Sequence, residues 1–211
     1  LSIYVEHDKR REEILDKALD VFVEEGYKDT TFQKIAERCG ITRTILYLYF
    51  SNKREIFSAS IKRLMGRVES RVREIAGDEE LKSVDKLIAI GEMVMGECAA
   101  ESRLLSVILD YLLKLKLSGG DPDERVRRRT IRMRHILALI VIEGKKRGEF
   151  SPRISGKAMS ELFYALIEAA VFRITVLGKK DVSTLQESLR LLALSISGED
   201  KATPPRTGKT A

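Results

Sequence analysis

Apolar positions recur along this chain at helical spacing nearly from end to end. Ile14, Leu15, Ala18, Leu19, Phe22 and Val23 fall on one face of a helix of about four turns that Gly26 closes. Thr30 and Thr31 offer an N-cap for a short helix ending near Cys39-Gly40. Thr42 caps a third helix, Arg43 to Tyr49. Asn52 with Glu55 three residues on forms a capping box that opens a fourth. That helix carries the long stripe Ile56, Phe57, Ile61, Leu64, Met65, Val68, Val72 and Ile75, and Gly77-Asp78 breaks it.

The pattern stays helical beyond that break. Leu81 to Cys98 and Glu101 to Leu117 read as two helices about a short joint, and 118–122 reads as a loop. Asp123 to Arg147 reads as one long helix. Residues 155–177 are apolar almost all round, so that helix needs cover on most sides. Leu185, Leu189, Leu192 and Ile196 form a stripe on a last helix that Gly198 ends. The tail 199–211, rich in Pro, Thr and Lys, reads as disordered. Alternating strand patterns are nearly absent, so the fold class is all-α, with about nine helices.

Composition narrows the function. The 211 residues are 44% hydrophobic and 33% charged, a globular balance with room for one or two domains. The longest purely apolar run, 136–142, is far below the ~20 residues of a membrane span. Residues 1–11 are polar and mixed in charge, unlike a signal peptide, so a cytoplasmic protein without membrane partners is expected. Two cysteines in helical stretches suit a reducing compartment. With two histidines far apart, neither a structural zinc site nor a cofactor is expected. No nucleotide-loop or catalytic motif appears, which weighs against an enzyme.

Charge is distributed unevenly. Residues 1–30 carry five basic and nine acidic side chains, and residues 31–66 carry seven basic and two acidic. A basic block after an acidic helix fits a surface that faces a polyanion. Thr31 to Phe50 reads TFQKIAERCGITRTILYLYF. Small Ala36, Gly40 in the turn and apolar Ile35, Cys39, Ile41, Leu46, Tyr49 and Phe50 make a helix-turn-helix over 31–50. Its second helix presents Arg43, Thr44, Tyr47 and Leu48 outward. Arg can donate twice to guanine, and Thr and Leu can meet a thymine methyl.

Residues 9–65 resemble the DNA-binding domain of the TetR family of bacterial transcriptional regulators. The resemblance rests on Ile14-Leu15, Ala18-Leu19, Phe22, Glu25-Gly26-Tyr27, Thr30-Thr31, Ile35-Ala36, Gly40-Ile41-Thr42, Leu46-Tyr47, Tyr49-Phe50 and Asn52-Lys53. It implies a helix-turn-helix domain over 8–66 and a ligand-binding and dimerisation domain over 67–198. It also implies that Thr31, Thr42, Tyr47, Tyr49 and Lys53 touch phosphate; Arg43, Thr44 and Leu48 are then the candidates for base contacts. Thr44 and Ile45 depart from the family pattern, which has Gly or Ala and then a small hydroxyl residue.

The function expected from the resemblance is a ligand-released repressor that binds a palindromic DNA operator as a homodimer. Its effector is an unidentified small molecule. The alternatives are a DNA-binding protein without an effector and a helical enzyme. A dimer interface is expected from Leu162, Leu166, Ala169, Leu185, Leu189, Leu192 and Ile196. A pocket between the fifth and eighth helices is expected to use Met93, Met95, Tyr111, Met133, Phe163 and Tyr164, with His135 or Glu168 as polar handles. The arginine run 125–134 reads as a solvated helix face, from which Arg132 or Arg134 can reach a pocket.

Overall fold

A computed structural model describes residues 2–119 and 124–197. The tail expected to be disordered and part of the 118–122 loop lie outside the described residues. Among these residues the elements are α1 (Ser2–Asp29), α2 (Phe32–Cys39), α3 (Arg43–Tyr47), α4 (Lys53–Gly77) and α5 (Ser83–Ala100). They continue as α6 (Ser102–Leu117), α7 (Glu124–Lys146), α8 (Gly156–Thr175) and α9 (Ser183–Ile196). The all-α expectation is met, and no described helix is long and apolar enough to cross a membrane.

The helix ends follow the capping chemistry of the sequence. Gly26, at φ 77°, interrupts α1. Buried Thr30 closes that turn by donating its hydroxyl to the Gly26 carbonyl at 2.7 Å. The Lys34 amide donates to the Thr31 hydroxyl at 3.2 Å, and the Ile45 amide does the same to Thr42. Gly40 ends α2 at φ 68°, where a Cβ costs ~1–2 kcal/mol. The capping box forms around Asn52: its Oδ1 accepts from the Glu55 amide, and the Glu55 carboxylate accepts from the Ser51 amide. One boundary differs from expectation: α1 begins at Ser2, well before its apolar stripe.

Two apolar cores form. The N-terminal core joins Ile14, Ala18 and Phe22 of α1 to Ile35, Ala36, Leu46, Phe50, Ile56 and Phe57. It also takes Leu104 and Ile108 from α6, so it draws on residues outside 8–66. The second core joins Leu87, Ile90 and Met95 of α5 to Leu137, Val141, Phe163, Ala170, Leu189 and Ala193. Gly91 lets the two helices approach, since a Cβ there would overlap the Leu189 side chain. At 1.5 Å per residue α4 runs ~37 Å. Its first half seats Phe57 and Leu64 in one core, and its second half seats Val72 in the other.

The buried face of α9 corrects part of the expected interface. Leu185, Leu189 and Ile196 lie in the chain's own core, packed with α5, and are not on its surface. Leu192, Leu166 and Ala169 are partly buried against that core, and Leu162 is exposed. The outward face of α8 and α9 instead carries Leu162, Phe172, Val176, Leu191 and Leu194, with Phe172 54% and Leu191 62% exposed. A 4-3-4 stripe reveals that a helix has an apolar face; whether that face meets its own chain or another depends on the helices around it.

Candidate nucleic-acid interface and effector cavity

Helix α3 sits on α2 through buried Leu46 and through Phe32, whose ring lies 4.6 Å from that of Tyr47. This seating turns Arg43, Thr44, Tyr47 and Leu48 to solvent together; Tyr47 is 50% and Leu48 74% exposed. Arg43 donates to the Tyr47 hydroxyl at 3.2 Å, and its guanidinium lies 5.8 Å from that ring. The two side chains are thereby held side by side on the exposed face. Thr31 and Thr42 stand exposed at the starts of α2 and α3, their oxygens accepting the capping amides. An exposed short helix carrying Arg, Thr, Tyr and Leu, with hydroxyls at its flanks, suits a groove lined by base edges and phosphates.

Two expected phosphate contacts are occupied inside the protein. The Lys53 ammonium donates to three carbonyls, of Tyr27 at 2.8 Å, Lys28 at 3.1 Å and Thr30 at 2.7 Å. An ammonium has three donors, so this set uses all of them. Its partial burial also lowers its pKa. Lys53 therefore holds the α1–α2 joint, and the phosphate clamp implied by the resemblance is not its arrangement here. Tyr49 is half-buried, its ring stacked 4.7 Å from His7. The basic block is partly neutralised as well. Lys34 pairs with Glu25 at 2.8 Å, Arg38 with Glu24, and Arg63 with Asp16.

A cavity of about 250 Å³ opens between the two cores. Its walls are apolar: Leu64, Val68 and Val72 of α4, Val94 of α5, Ile108 of α6 and Ile136 of α7, among others. Of the expected lining residues, Met133 and Tyr164 are there, as is Arg132 from the arginine run. Met95 and Phe163 are instead fully buried core, and Met93 packs against it. Tyr111 meets Tyr27 and Phe57 edge to face, at 4.5 and 5.0 Å between ring centres, in an aromatic cluster of the N-terminal core. His135 and Glu168 face solvent, so neither serves as a polar handle. Arg134 lies over the Tyr164 ring and pairs with Glu161.

The α4 wall was absent from the expected pocket. Its signal in the sequence is the apolar stripe of the fourth helix, Ile61 to Val72. Cys98, also on the wall, was missed; burial pushes its thiol up to about 11.

The fold and the exposed face are those of a helix-turn-helix DNA-binding transcriptional regulator, with a cavity in its helical second half. Residues 14–60 match the model of the tetR family of bacterial regulatory proteins, so that stretch is similar to the family's DNA-binding domain. The fatty acid metabolism regulator protein of Bacillus subtilis is 26% identical over 187 residues, which are 88% of this chain and 93% of the relative. The solved structure of the regulator FadR from Bacillus subtilis, in complex with stearoyl-CoA, superposes with a TM-score of 0.70 at 25% identity. That match covers 87% of this chain and 97% of the other. A TetR transcription regulator from Haloarcula marismortui shares the fold, with a TM-score of 0.79 at 18% identity over 90% and 99% of the two chains.

Proposed function

We infer that this regulator is a ligand-released repressor that binds a palindromic operator as a cytoplasmic homodimer, and that its effector is a molecule with a long apolar part. The observation that carries the reading is the shared use of α4. One helix walls the apolar cavity and, in its first half, packs against α1 in the core that the helix-turn-helix shares. An occupant that favours one position of α4 favours one position of the DNA-reading face, and release follows from its different affinity for the two states. The apolar walls, and a relative solved with stearoyl-CoA, support an acyl-chain effector.

In this reading Arg43, Thr44 and Leu48 meet base edges. Thr31, Thr42 and Tyr47 meet phosphates, while Lys53 and Tyr49 hold the reading face in place. Two copies joined through the outward apolar faces of α8 and α9 would set two recognition helices about one DNA turn, ~34–36 Å, apart. The reading needs no enzymatic step.

The test is selection of binding sites from a random DNA pool by the purified full chain. A palindromic consensus that is lost on adding a long-chain acyl-CoA supports the whole reading. A palindrome indifferent to acyl compounds keeps the dimeric reader and removes the effector. No enrichment, after ligand is stripped by unfolding and refolding, overturns the operator-binding role.

A further inference from the structure

The cavity is apolar on its walls but charged at one place, where α4 meets α7. Glu69 and Arg73 of α4 and Arg132 of α7 all line it. Arg132 donates to the Glu69 carboxylate at 2.9 Å, and Arg73 donates through Nε to the Glu69 backbone carbonyl at 3.3 Å. Two guanidiniums thus converge on one acidic residue at the edge of an apolar space, whose lining also carries Glu97 and Glu101. Across the cavity Glu97 of α5 is paired with Arg71. Glu69 is the more buried partner of its pair, with its side chain 22% exposed against 57% for Arg132. Arg132 therefore has an approach from solvent that Glu69 has less of.

We propose that Arg132 binds the anionic head of an amphiphilic effector whose tail fills the cavity, and that this head displaces Glu69 and so breaks the α4–α7 tie. The proposal rests on the cavity being the effector site and names the chemistry at its mouth. A planar guanidinium matches a carboxylate or a phosphate through two parallel hydrogen bonds. Glu69 already supplies one such carboxylate, so the incoming anion replaces like with like. The difference lies in what the anion is attached to. Glu69 is fixed to the helix that carries the DNA-binding face, whereas the ligand is not. Exchange leaves Arg132 satisfied and removes the Glu69–Arg132 tie between α4 and α7. Binding energy is thereby gained in the released state and not in the tied one, which is what coupling between two sites requires.

The experiment compares three probes on the full chain by calorimetry: hexadecanoate, hexadecanoyl-CoA and uncharged 1-hexadecanol. The first two separate a carboxylate head from a phosphate-bearing one. The expected result is that at least one anion binds ten or more times tighter than the alcohol. Arg132→Gln removes that preference and leaves the alcohol's Kd within twofold, which also reports an intact cavity. Glu69→Gln, which removes the competing carboxylate and preserves shape, tightens the anion severalfold. It also lowers the anion concentration that half-releases the DNA.

If the alcohol binds as tightly as both anions, the head-group site falls and the cavity reading stands. If no probe binds, both fall. An anion preference that survives Arg132→Gln, or is not tightened by Glu69→Gln, also overturns the proposal. Should Arg132→Gln not fold, the Glu69→Gln result decides alone.

Discussion

The ammonium of Lys53, at the first turn of α4, lies 2.7 Å from the carbonyl of Thr30, in the joint between α1 and α2. With the Tyr27 and Lys28 carbonyls it forms a cap on chain that a glycine break has left without helical partners. Lys53→Ala is therefore expected to destabilise the N-terminal half by about 1–3 kcal/mol, the scale of hydrogen bonds to a charged group. Thermal unfolding reads the loss. The slope of log affinity against log salt should hardly change, whereas loss of a direct phosphate contact would flatten it by about one.

Arg43 is expected to act on sequence, not on affinity in general. Arg43→Ala should cost about 1–3 kcal/mol on the preferred operator and far less on scrambled DNA. Titrating both DNAs at one salt concentration checks this. Equal losses on the two would make Arg43 a phosphate contact.

Leu189 and Leu194 lie on opposite faces of α9, one in the core and one exposed. Leu189→Glu should abolish folding of the C-terminal half, because it puts a carboxylate against α5 with no partner. Leu194→Glu should leave helicity and melting intact while halving the mass in solution. Circular dichroism with light scattering separates the two. A dimer that survives both Leu191→Glu and Leu194→Glu would place the interface elsewhere.

Cys98 provides a pH test. Burial raises its thiol pKa to about 11, from an ordinary value of 9.0. A raised pKa means that the folded chain holds this proton more tightly than the unfolded one. Stability from this group is thus complete below pH 9 and is lost as pH climbs toward 11. Alkylation of native Cys98 should show the same late rise, since the thiolate is the nucleophile. Occupancy of the cavity should slow it further. An inflection near pH 9 would mean that the thiol is open to water.

Most helix ends were legible because they are local chemistry. Thr31, Thr42 and the Asn52–Glu55 box each act within three residues, and Gly40 within its own turn. The exposed face of α3 was legible for the same reason, since five residues fix which side Leu46 buries. The role of Lys53 was not, because its acceptors are 23 to 26 residues away. The cavity was only half legible. Met133 and Met95 look alike in sequence, and only the packing of the other helices makes one a wall and the other core. The long reach of α1 back to Ser2 lacked any apolar periodicity to announce it.

Helix α6 has a consequence for how such proteins can be rearranged. Leu104 and Ile108 complete the core beneath the DNA-reading helices, and Tyr111 closes the aromatic cluster on Phe57 and Tyr27. Leu105 and Leu112 of the same helix face the cavity. The DNA-binding half is thus finished by a helix that also walls the cavity. A chimera joined within α4 would leave Phe57 and Tyr27 against a foreign α6, and an exchange of effector specificity between relatives would have to carry matching residues at 104, 108 and 111. The two halves are coupled through one shared core, despite being separate stretches of chain.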